Sequence, residues 1–203
     1  MSIRQPLEAP SDQLLRTLAS VPVSSPILDL GCGTGEHTEA LLRLGFPVHA
    51  CDPRPDAVRK TRARVRNLVD EETAESCVQK IALDALDELD ATFDWIVAFQ
   101  TALLIDSKAD LRSLLETGHS LLEPGGWLYL TVPAPRSEAE GQSAAEGARS
   151  AFDDVGIRLP PSDLEASRLD TPLVESRPPS RVEEHGETRI HAIYRRVRAQ
   201  APS

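Results

Sequence analysis

Residues 26–35, PILDLGCGTG, constrain the fold of this chain more than any other stretch. An apolar run leads into three alternating glycines, Gly31, Gly33 and Gly35. Because glycine lacks a Cβ, this spacing lets the backbone take positive φ and lets a ligand approach closely. The pattern therefore predicts a β-strand that turns abruptly into an α-helix, with amides at the helix start available to polar ligand atoms.

The spacing of the glycines separates two kinds of nucleotide site. A dinucleotide-binding turn needs its third glycine three residues after the second, and Glu36 occupies that position here. The third glycine is instead Gly35, and the strand ends in Asp29 just before the turn. These residues argue against a nicotinamide or flavin site, while a structural turn without a ligand stays open as the alternative.

The string from Asp29 to Gly35, DLGCGTG, resembles motif I of the class I S-adenosylmethionine-dependent methyltransferases. A second stretch, LEPGG at 122–126, is also similar to that family and has a mainly architectural role there. The resemblance implies S-adenosyl-L-methionine as the cofactor, with Asp29 near its amino acid end. It covers residues 26–132 well and the remainder loosely.

Apolar runs alternate with amphipathic segments along residues 11–132, which predicts a doubly wound parallel sheet. Two further runs near the end predict a closing antiparallel hairpin. The family resemblance implies a Rossmann-like, mostly parallel seven-stranded sheet with helices on both faces. The expected strands are 26–30, 47–51, 77–83, 93–99, 122–132, 169–176 and 188–197, and the expected helices are 11–20, 36–44, 56–69 and 108–122.

A chain of 203 residues is within the range of one domain with a full core. We therefore expect a single methyltransferase domain. Its parts are an N-terminal helical cap at 1–25, a cofactor-binding half at 26–132 and a substrate-side half at 133–203. Residues 133–150, rich in Ala, Ser, Glu and Gly, are expected to form a mobile loop running into a helix that ends near Val155.

Acidic residues follow the predicted strands at the places where an adenosine would bind. Asp52 lies about 20 residues beyond the first glycine, the spacing at which a carboxylate accepts hydrogen bonds from ribose hydroxyls. Asp84 and Ala85 match by position the family residues that contact adenine. A helix cap for Asp52 and a turn for Asp84 are the alternatives. The predicted cofactor site comprises Asp29, Gly31, Cys32, Gly33, Thr34, Gly35, Asp52, Pro53, Asp84, Ala85 and Phe99.

The methyl acceptor is expected at the loops after the fourth and fifth strands and at the final hairpin. Gln100 follows the fourth strand, and no histidine stands directly after it to act as a general base. An oxygen nucleophile of high pKa needs such a base, whereas a soft or already ionised nucleophile does not. The sequence therefore favours a soft or ionised acceptor.

The connection between the last two strands carries cationic residues. Arg177, Arg181, His185 and Arg189 lie there, and arginines could hold an oxyanion through paired N–H donors. A charged, solvated loop is the competing interpretation. The passage LGFPVHACD at 44–52 looks like the tellurite-resistance and thiopurine methyltransferases, in whose tellurite-resistance members His and Arg near the last strand are implicated at the substrate. His185 and Arg189 are the closest positions here.

Composition limits the remaining functions. The formal charge is −10, which disfavours nucleic acid binding. Five basic residues on the helix at 56–69 are expected to form a solvated face. Cys32, Cys51 and Cys77 have no metal-ligand spacing and are expected to be buried thiols, although a helix N-terminus could lower the pKa of Cys32. No metal site is expected, because His49, His119 and His191 also lack ligand spacing, and His37 is expected at the surface or in a helix contact.

These observations predict a cytoplasmic enzyme, since the chain opens with no signal peptide and has no membrane span. The expected activity is methyl transfer from S-adenosyl-L-methionine to a small molecule. A methyltransferase of protein or RNA is one alternative. A cofactor-binding module that has lost catalysis is the other.

Overall fold

The computed structural model describes residues 10–99, 105, 107–134, 164, 171–184 and 186–198. The chain divides into two compact units, Met1–Ala82 and Leu83–Ser203. The expected loop at 133–150 and the helix ending near Val155 lie almost wholly outside the described residues. Among the described helices, none has the length and apolar content that a membrane crossing requires.

The first unit alternates helices with short buried strands. Its elements are α1 (Asp12–Leu18), β1 (Ile27–Leu30), α2 (Glu36–Arg43), β2 (Val48–Cys51), α3 (Pro55–Val65), α4 (Glu71–Cys77) and β3 (Val78–Gln79). All four residues of β1 are buried. A strand that is apolar and buried on both faces is typical of a parallel sheet covered by helices.

The second unit contains the longer strands. Its elements are a 3₁₀ helix (Leu83–Glu88), β4 (Phe93–Ala98), α5 (Lys108–Leu121), β5 (Leu122–Pro133), β6 (Leu173–Glu184) and β7 (Glu187–Arg196). Ser107 begins α5 as its N-cap, with a side-chain oxygen that accepts from the Asp110 amide at 3.1 Å. Leu111, Leu114, Leu115 and Leu121 then form its buried face.

The seven strands form one sheet in the order β3-β2-β1-β4-β5-β7-β6. Parallel pairing joins β1 to β2, β2 to β3 and β4 to β5, whereas β7 is antiparallel to both β5 and β6. This arrangement confirms the predicted mostly parallel sheet with a C-terminal antiparallel hairpin.

The helix after the glycine turn begins and ends where the sequence predicts. Gly35 is its N-cap with φ +88°, and Gly45, with φ +90°, follows its C-cap. Both conformations are left-handed, which side chains other than glycine disfavour. Buried Thr38 and Leu41 face the core from the segment between them.

Two sequence predictions in the first unit are wrong in their boundaries. The basic helix, expected over 56–69, begins at Pro55 and ends at Val65. The third strand, expected over 77–83, is only Val78–Gln79, and it begins directly after α4, which extends to Cys77. Asp70 nucleates that helix by accepting from the Thr73 amide at 2.7 Å, a capping signal that the apolar run beyond it obscured.

The closing hairpin is longer than predicted. Arg177 and Arg181 lie inside β6, although the sequence placed them in the connection between the strands. Two register shifts, between Glu175 and Arg177 and between Arg177 and Ser180, let the strand continue through this polar stretch. Gly186, just before β7, adopts φ +76°.

The glycine turn generates a paired prediction. A Cβ on Gly35 would lie 2.9 Å from Thr61 Cγ2 and 3.0 Å from Thr61 Cα, whereas one on Gly45 would meet nothing within 4 Å. Both glycines have similar positive φ, so a substitution at either one carries a similar backbone cost. Any difference between the two losses of stability therefore reports the close packing of α2 on α3. We expect Gly35→Ala to lower the free energy of unfolding by about 3 kcal/mol and Gly45→Ala by about 1 kcal/mol.

Urea unfolding of the two variants beside the wild-type chain measures this difference. Equal losses of unfolding free energy for the two variants would show that α3 shifts to accommodate the added methyl group at no cost. Glycine would then be needed at position 35 only for its positive φ.

Candidate active site

The glycine turn connects the carboxyl end of β1 to the amino end of α2. Gly31, Gly33 and Gly35 have φ of 77°, 59° and 88°, so all three take the left-handed conformation predicted by the motif. A Cβ on Gly33 would meet only the Gly31 carbonyl oxygen, at 3.9 Å. The turn is therefore open beside Gly33, and a ligand can approach the backbone there.

Both hydrogen-bonding groups of Gly33 are held by side chains from the neighbouring elements. Its amide donates to Asp52 Oδ2 at 3.1 Å, and its carbonyl accepts from Thr61 Oγ1 at 3.0 Å. Asp52 comes directly after β2, and Thr61 lies on α3. The conformation of the turn is thus fixed by the next strand and helix.

Arg64 holds the outer side of the turn, a role that the sequence analysis missed. Its guanidinium donates to the Thr34 carbonyl at 2.9 Å, to Glu36 at 2.9 Å and to Glu39 at 3.0 Å. Thr34 also donates to the Glu36 carboxylate at 2.6 Å. Sequence reasoning assigned Arg64 to a solvated basic face, because spacing along α3 does not show which residues of α2 lie opposite.

The other basic residues of that helix are also partnered. Arg59 and Lys60 form ion pairs with Asp56, and Arg62 donates to the Val78 carbonyl at 2.9 Å. Arg66 pairs with Glu71 at 2.8 Å. The positive charge of α3 is therefore balanced by nearby acidic and carbonyl groups.

Asp29 is buried at the end of β1, with 2% of its surface exposed. Its Oδ2 accepts a short hydrogen bond, 2.5 Å, from Thr38 Oγ1 on α2. Burial raises the pKa of Asp29 to about 7, and the Thr38 hydrogen bond partly opposes this rise. Asp29 thus joins β1 to α2 in addition to its predicted place at the cofactor.

Asp52 is 1% exposed, and its carboxylate already has partners within the protein. Oδ1 accepts from the Arg54 amide at 2.9 Å and from Arg54 Nε at 3.0 Å, while Oδ2 accepts from Arg54 Nη2 at 2.9 Å. With the Gly33 amide, these donors match the roughly four lone-pair positions of a carboxylate. The Arg54 side chain itself is 48% exposed.

The three cysteines are buried, as predicted. The suggestion that the helix N-terminus lowers the pKa of Cys32 is wrong. Burial, reinforced by the negative charge of Asp29, raises the pKa of the Cys32 thiol far above its ordinary range, and burial also raises that of Cys51 to about 12. Neither thiol is a nucleophile at neutral pH.

The remaining predicted cofactor residues fall into two groups. Pro53 is half-buried after Asp52, in the first unit. Asp84 and Ala85 lie in the 3₁₀ helix of the second unit, with Asp84 exposed, and Phe99 is buried directly after β4. Gln100 and His185 lie outside the described residues.

Strand register places two of the hairpin arginines on different faces. Arg181 is in register with Ile190, whereas Arg189 is in register with Val182. Because successive residues of a strand point to opposite faces, Arg181 and Arg189 lie on opposite faces of the sheet. Arg189 is buried, donates to Glu187 at 2.5 Å and lies 5.6 Å from the Phe99 ring centroid.

His191 is the residue at this end of the sheet that sequence reasoning passed over. Its ring is 2% exposed, and its Nδ1 lies 2.6 Å from the Tyr129 hydroxyl on β5. The signal available in the sequence was a histidine two residues after Arg189 in an otherwise apolar run. Only strand register reveals its partners. In the described part of the chain, no group of three or more His, Cys, Asp or Glu side chains is arranged to hold a metal ion.

Comparison with known proteins identifies the class. The family model described as "Methyltransferase domain" matches residues 3–165. A solved methyltransferase from Methanosarcina mazei superposes with a TM-score of 0.72 at 17% identity, over 94% of this chain and 100% of that one. The chain belongs to the methyltransferase domain family and has the class I S-adenosylmethionine-dependent methyltransferase fold.

One sequence relative and one further solved structure are also similar to this chain. A ubiquinone biosynthesis O-methyltransferase from Xanthomonas campestris is 32% identical over 106 residues, which are 52% of this chain and 42% of that protein. The chain thus spans less than half the length of this relative. The N-methyltransferase NodS from Bradyrhizobium japonicum, solved with S-adenosyl-L-homocysteine, has a TM-score of 0.64 at 18% identity, covering 91% and 84% of the two chains.

The first unit fits the cofactor that this family implies, S-adenosyl-L-methionine. The open side of Gly33 leaves room for close approach of a ligand, and the buried carboxylate of Asp52 is predicted to accept hydrogen bonds from ribose hydroxyls. Among the described residues, the Arg54 side chain occupies positions on Asp52 that such a ribose would need.

That competition predicts the effect of removing Arg54. We expect Arg54→Ala to bind S-adenosyl-L-homocysteine about two- to tenfold more tightly, because the ribose no longer displaces two charge-assisted hydrogen bonds. Isothermal titration calorimetry measures the change. Arg59→Ala, which removes another arginine of the same segment, should leave the affinity unchanged. Weaker binding by Arg54→Ala would mean that Arg54 contacts the cofactor.

The buried Asp29 predicts a pH-dependent stability. Its raised pKa means that the folded state holds the proton more tightly than the unfolded state, so this contribution is lost as pH rises from about 4 through about 7. We expect Asp29→Asn to match the wild type in urea unfolding at pH 4 and to exceed it by about 2 to 4 kcal/mol at pH 8. The exposed Asp56→Asn serves as the control, and the prediction fails if Asp29→Asn shows no advantage at pH 8.

Proposed function

We propose that this chain transfers a methyl group from S-adenosyl-L-methionine to a small molecule. The observation that carries the proposal is the Gly33–Asp52 hydrogen bond, which sets an open glycine turn beside a buried carboxylate at the ends of β1 and β2. In open α/β sheets, ligands bind at the carboxyl ends of the strands. The predicted division into a cofactor half at 26–132 and a substrate half at 133–203 is part of this proposal.

The residues of the first unit would bind and orient the cofactor. Asp52 would accept hydrogen bonds from the ribose hydroxyls, and the turn at Gly31–Gly35 would face the amino acid portion. Asp84 and Ala85 would contact the adenine, as the family resemblance implies. The cofactor supplies an activated methyl carbon, so the protein's task is mainly orientation and exclusion of water.

The names of the relatives support a small-molecule acceptor, and several specify an O-methyltransferase. An oxygen acceptor competes with the soft or ionised nucleophile that the sequence favours. That preference rests on the lack of a histidine directly after the fourth strand. An imidazole is nevertheless present in the second unit, since His191 of β7 is buried against Tyr129 of β5.

The cofactor step is tested by calorimetric titration with S-adenosyl-L-homocysteine. We expect wild-type protein to bind it and Asp52→Ala to bind at least tenfold more weakly, a loss of about 1.4 kcal/mol. Asp56→Ala removes an exposed carboxylate four residues away and should bind as the wild type does. Thermal unfolding of each variant checks that Asp52→Ala still folds, and Asp52→Asn replaces it if it does not.

NADH is titrated in parallel. No binding of S-adenosyl-L-homocysteine by the wild type, or a preference for NADH, would overturn the proposal. A screen with thiols, selenite, tellurite and small phenols then separates an enzyme from a binding module, since tight cofactor binding without turnover of any acceptor favours the module.

A further inference from the structure

A basic cleft runs along α3 in the first unit, on the side of the helix that contacts α4 and β3. Its volume is about 360 Å³, and its lining includes Arg59, Arg62, Arg66 and Lys80. None of the described residues that line it is acidic. The cleft therefore concentrates positive charge on a chain whose formal charge is −10.

The cleft is separate from the glycine turn. Thr61 and Arg64 of α3 donate to the turn, at the carbonyls of Gly33 and Thr34 respectively. Neither of these α3 residues lines the cleft. The predicted cofactor site and the cleft therefore use different residues of the same helix.

The cations approach the cleft from two walls. Arg59, Arg62 and Arg66 are three and four residues apart, so they share one face of α3 and span about 10 Å along its axis. Lys80 directly follows β3, the strand at one edge of the sheet. An anion in the cleft would therefore meet donors from the helix on one side and from the sheet edge on the other.

Arg62 is held in place without losing its positive charge. Its Nε donates to the Val78 carbonyl at 2.9 Å, and its Nη2 donates to the Glu75 carbonyl at 3.2 Å. Carbonyl groups carry no net charge, and among the described residues no carboxylate forms an ion pair with this guanidinium. The side chain is thus oriented for an anionic ligand before that ligand arrives.

Lys80 is the second cation in the cleft that lacks a carboxylate partner. Its side chain is exposed, and within the described part of the chain its ammonium group forms neither a hydrogen bond nor an ion pair. Two of the four positive charges are therefore available to a ligand without breaking an ion pair.

The other two arginines of the cleft form ion pairs at the surface. Arg59 pairs with Asp56, which also pairs with Lys60 at 2.8 Å, and Arg66 pairs with Glu71 at 2.8 Å. These carboxylates balance the charge of the helix as a whole, but neither of them lines the cleft. Because exposed ion pairs contribute little to stability, a ligand can replace them at small cost.

Apolar residues complete the lining. Pro55, Val58 and Ala63 belong to the same cleft, and Val58 is buried beneath it. A bare inorganic anion would leave this apolar surface in contact with water. A ligand that also carries an apolar group would cover it, which favours an organic anion.

We propose that this cleft binds the phosphate group of a small organic phosphate. Guanidinium groups bind phosphate oxygens through paired N–H donors, and an ammonium group adds a compact positive charge. The volume of the cleft is that of a small-molecule site, and the net negative charge of the chain repels a long polyanion such as nucleic acid. This proposal is independent of the proposed methyltransferase function.

Titration with phenyl phosphate, followed by calorimetry, tests the proposal with two matched lysine variants. We expect Lys80→Gln to bind this probe about five- to twentyfold more weakly, because one charge-assisted contact is lost. Lys60→Gln removes the same charge from a residue of α3 outside the cleft and should bind as the wild type does. Because Lys80 is exposed and without a partner in the described part of the chain, its substitution tests binding and not folding.

Four outcomes would overturn the proposal. The first is no saturable binding of phenyl phosphate by the wild type at millimolar concentration, and the second is equal weakening in both lysine variants. The third is inorganic phosphate that binds as tightly as phenyl phosphate, since the apolar wall would then contribute nothing. The fourth is an oligoglutamate peptide or a single-stranded RNA that binds more tightly than phenyl phosphate, which would assign the cleft to a macromolecule.

A repeat of the titration in saturating S-adenosyl-L-homocysteine separates the cleft from the cofactor site. We expect the affinity for phenyl phosphate to stay the same, whereas competition between the two ligands would place the phosphate at the glycine turn and refute the proposal. Failure of the protein to bind S-adenosyl-L-homocysteine would refute the proposed function and leave the phosphate site standing.

Discussion

The two hydrogen bonds of the Gly33 peptide are the constraint on which the cofactor half depends. One fixes its amide to Asp52 after β2, and the other fixes its carbonyl to Thr61 on α3. Close contact of Gly35 with Thr61 adds a steric limit at the same place. Because three elements meet at a single peptide, the register of β1 against β2 and the packing of α2 on α3 cannot change independently of the turn.

The buried carboxylate of Asp52 has its hydrogen-bond partners within the protein. The Gly33 amide and the Arg54 guanidinium donate to it, so burial leaves its oxygens paired. The Arg54 side chain is 48% exposed, whereas Asp52 is buried. If Asp52 binds the ribose as we propose, the diol would replace the donors of Arg54 and the carboxylate would have partners in both states.

Much of the architecture was predictable from local patterns. The glycine string, the helix bounded by Gly35 and Gly45 and the apolar strands were identified correctly, since each follows from backbone conformation or from burial on both sheet faces. The predicted boundaries were wrong where a short capping signal competed with an apolar run, as at Asp70, which begins α4. They were also wrong where an edge strand is polar, because β6 continues through Arg177 and Arg181, which the sequence placed in a loop.

The sequence by itself determined the class of protein, because positive φ at alternate positions and acidic residues at the ends of the first two strands are local requirements that residue types express. Tertiary structure alone decided which side chains meet. Arg64 reaches Glu36 across 28 residues, and Tyr129 reaches His191 across 62. Such contacts are set by strand register and helix packing, which bring distant residues to one face. The same geometry separated Arg181 from Arg189 and left His191 Nε2 without a hydrogen-bond partner among the described residues.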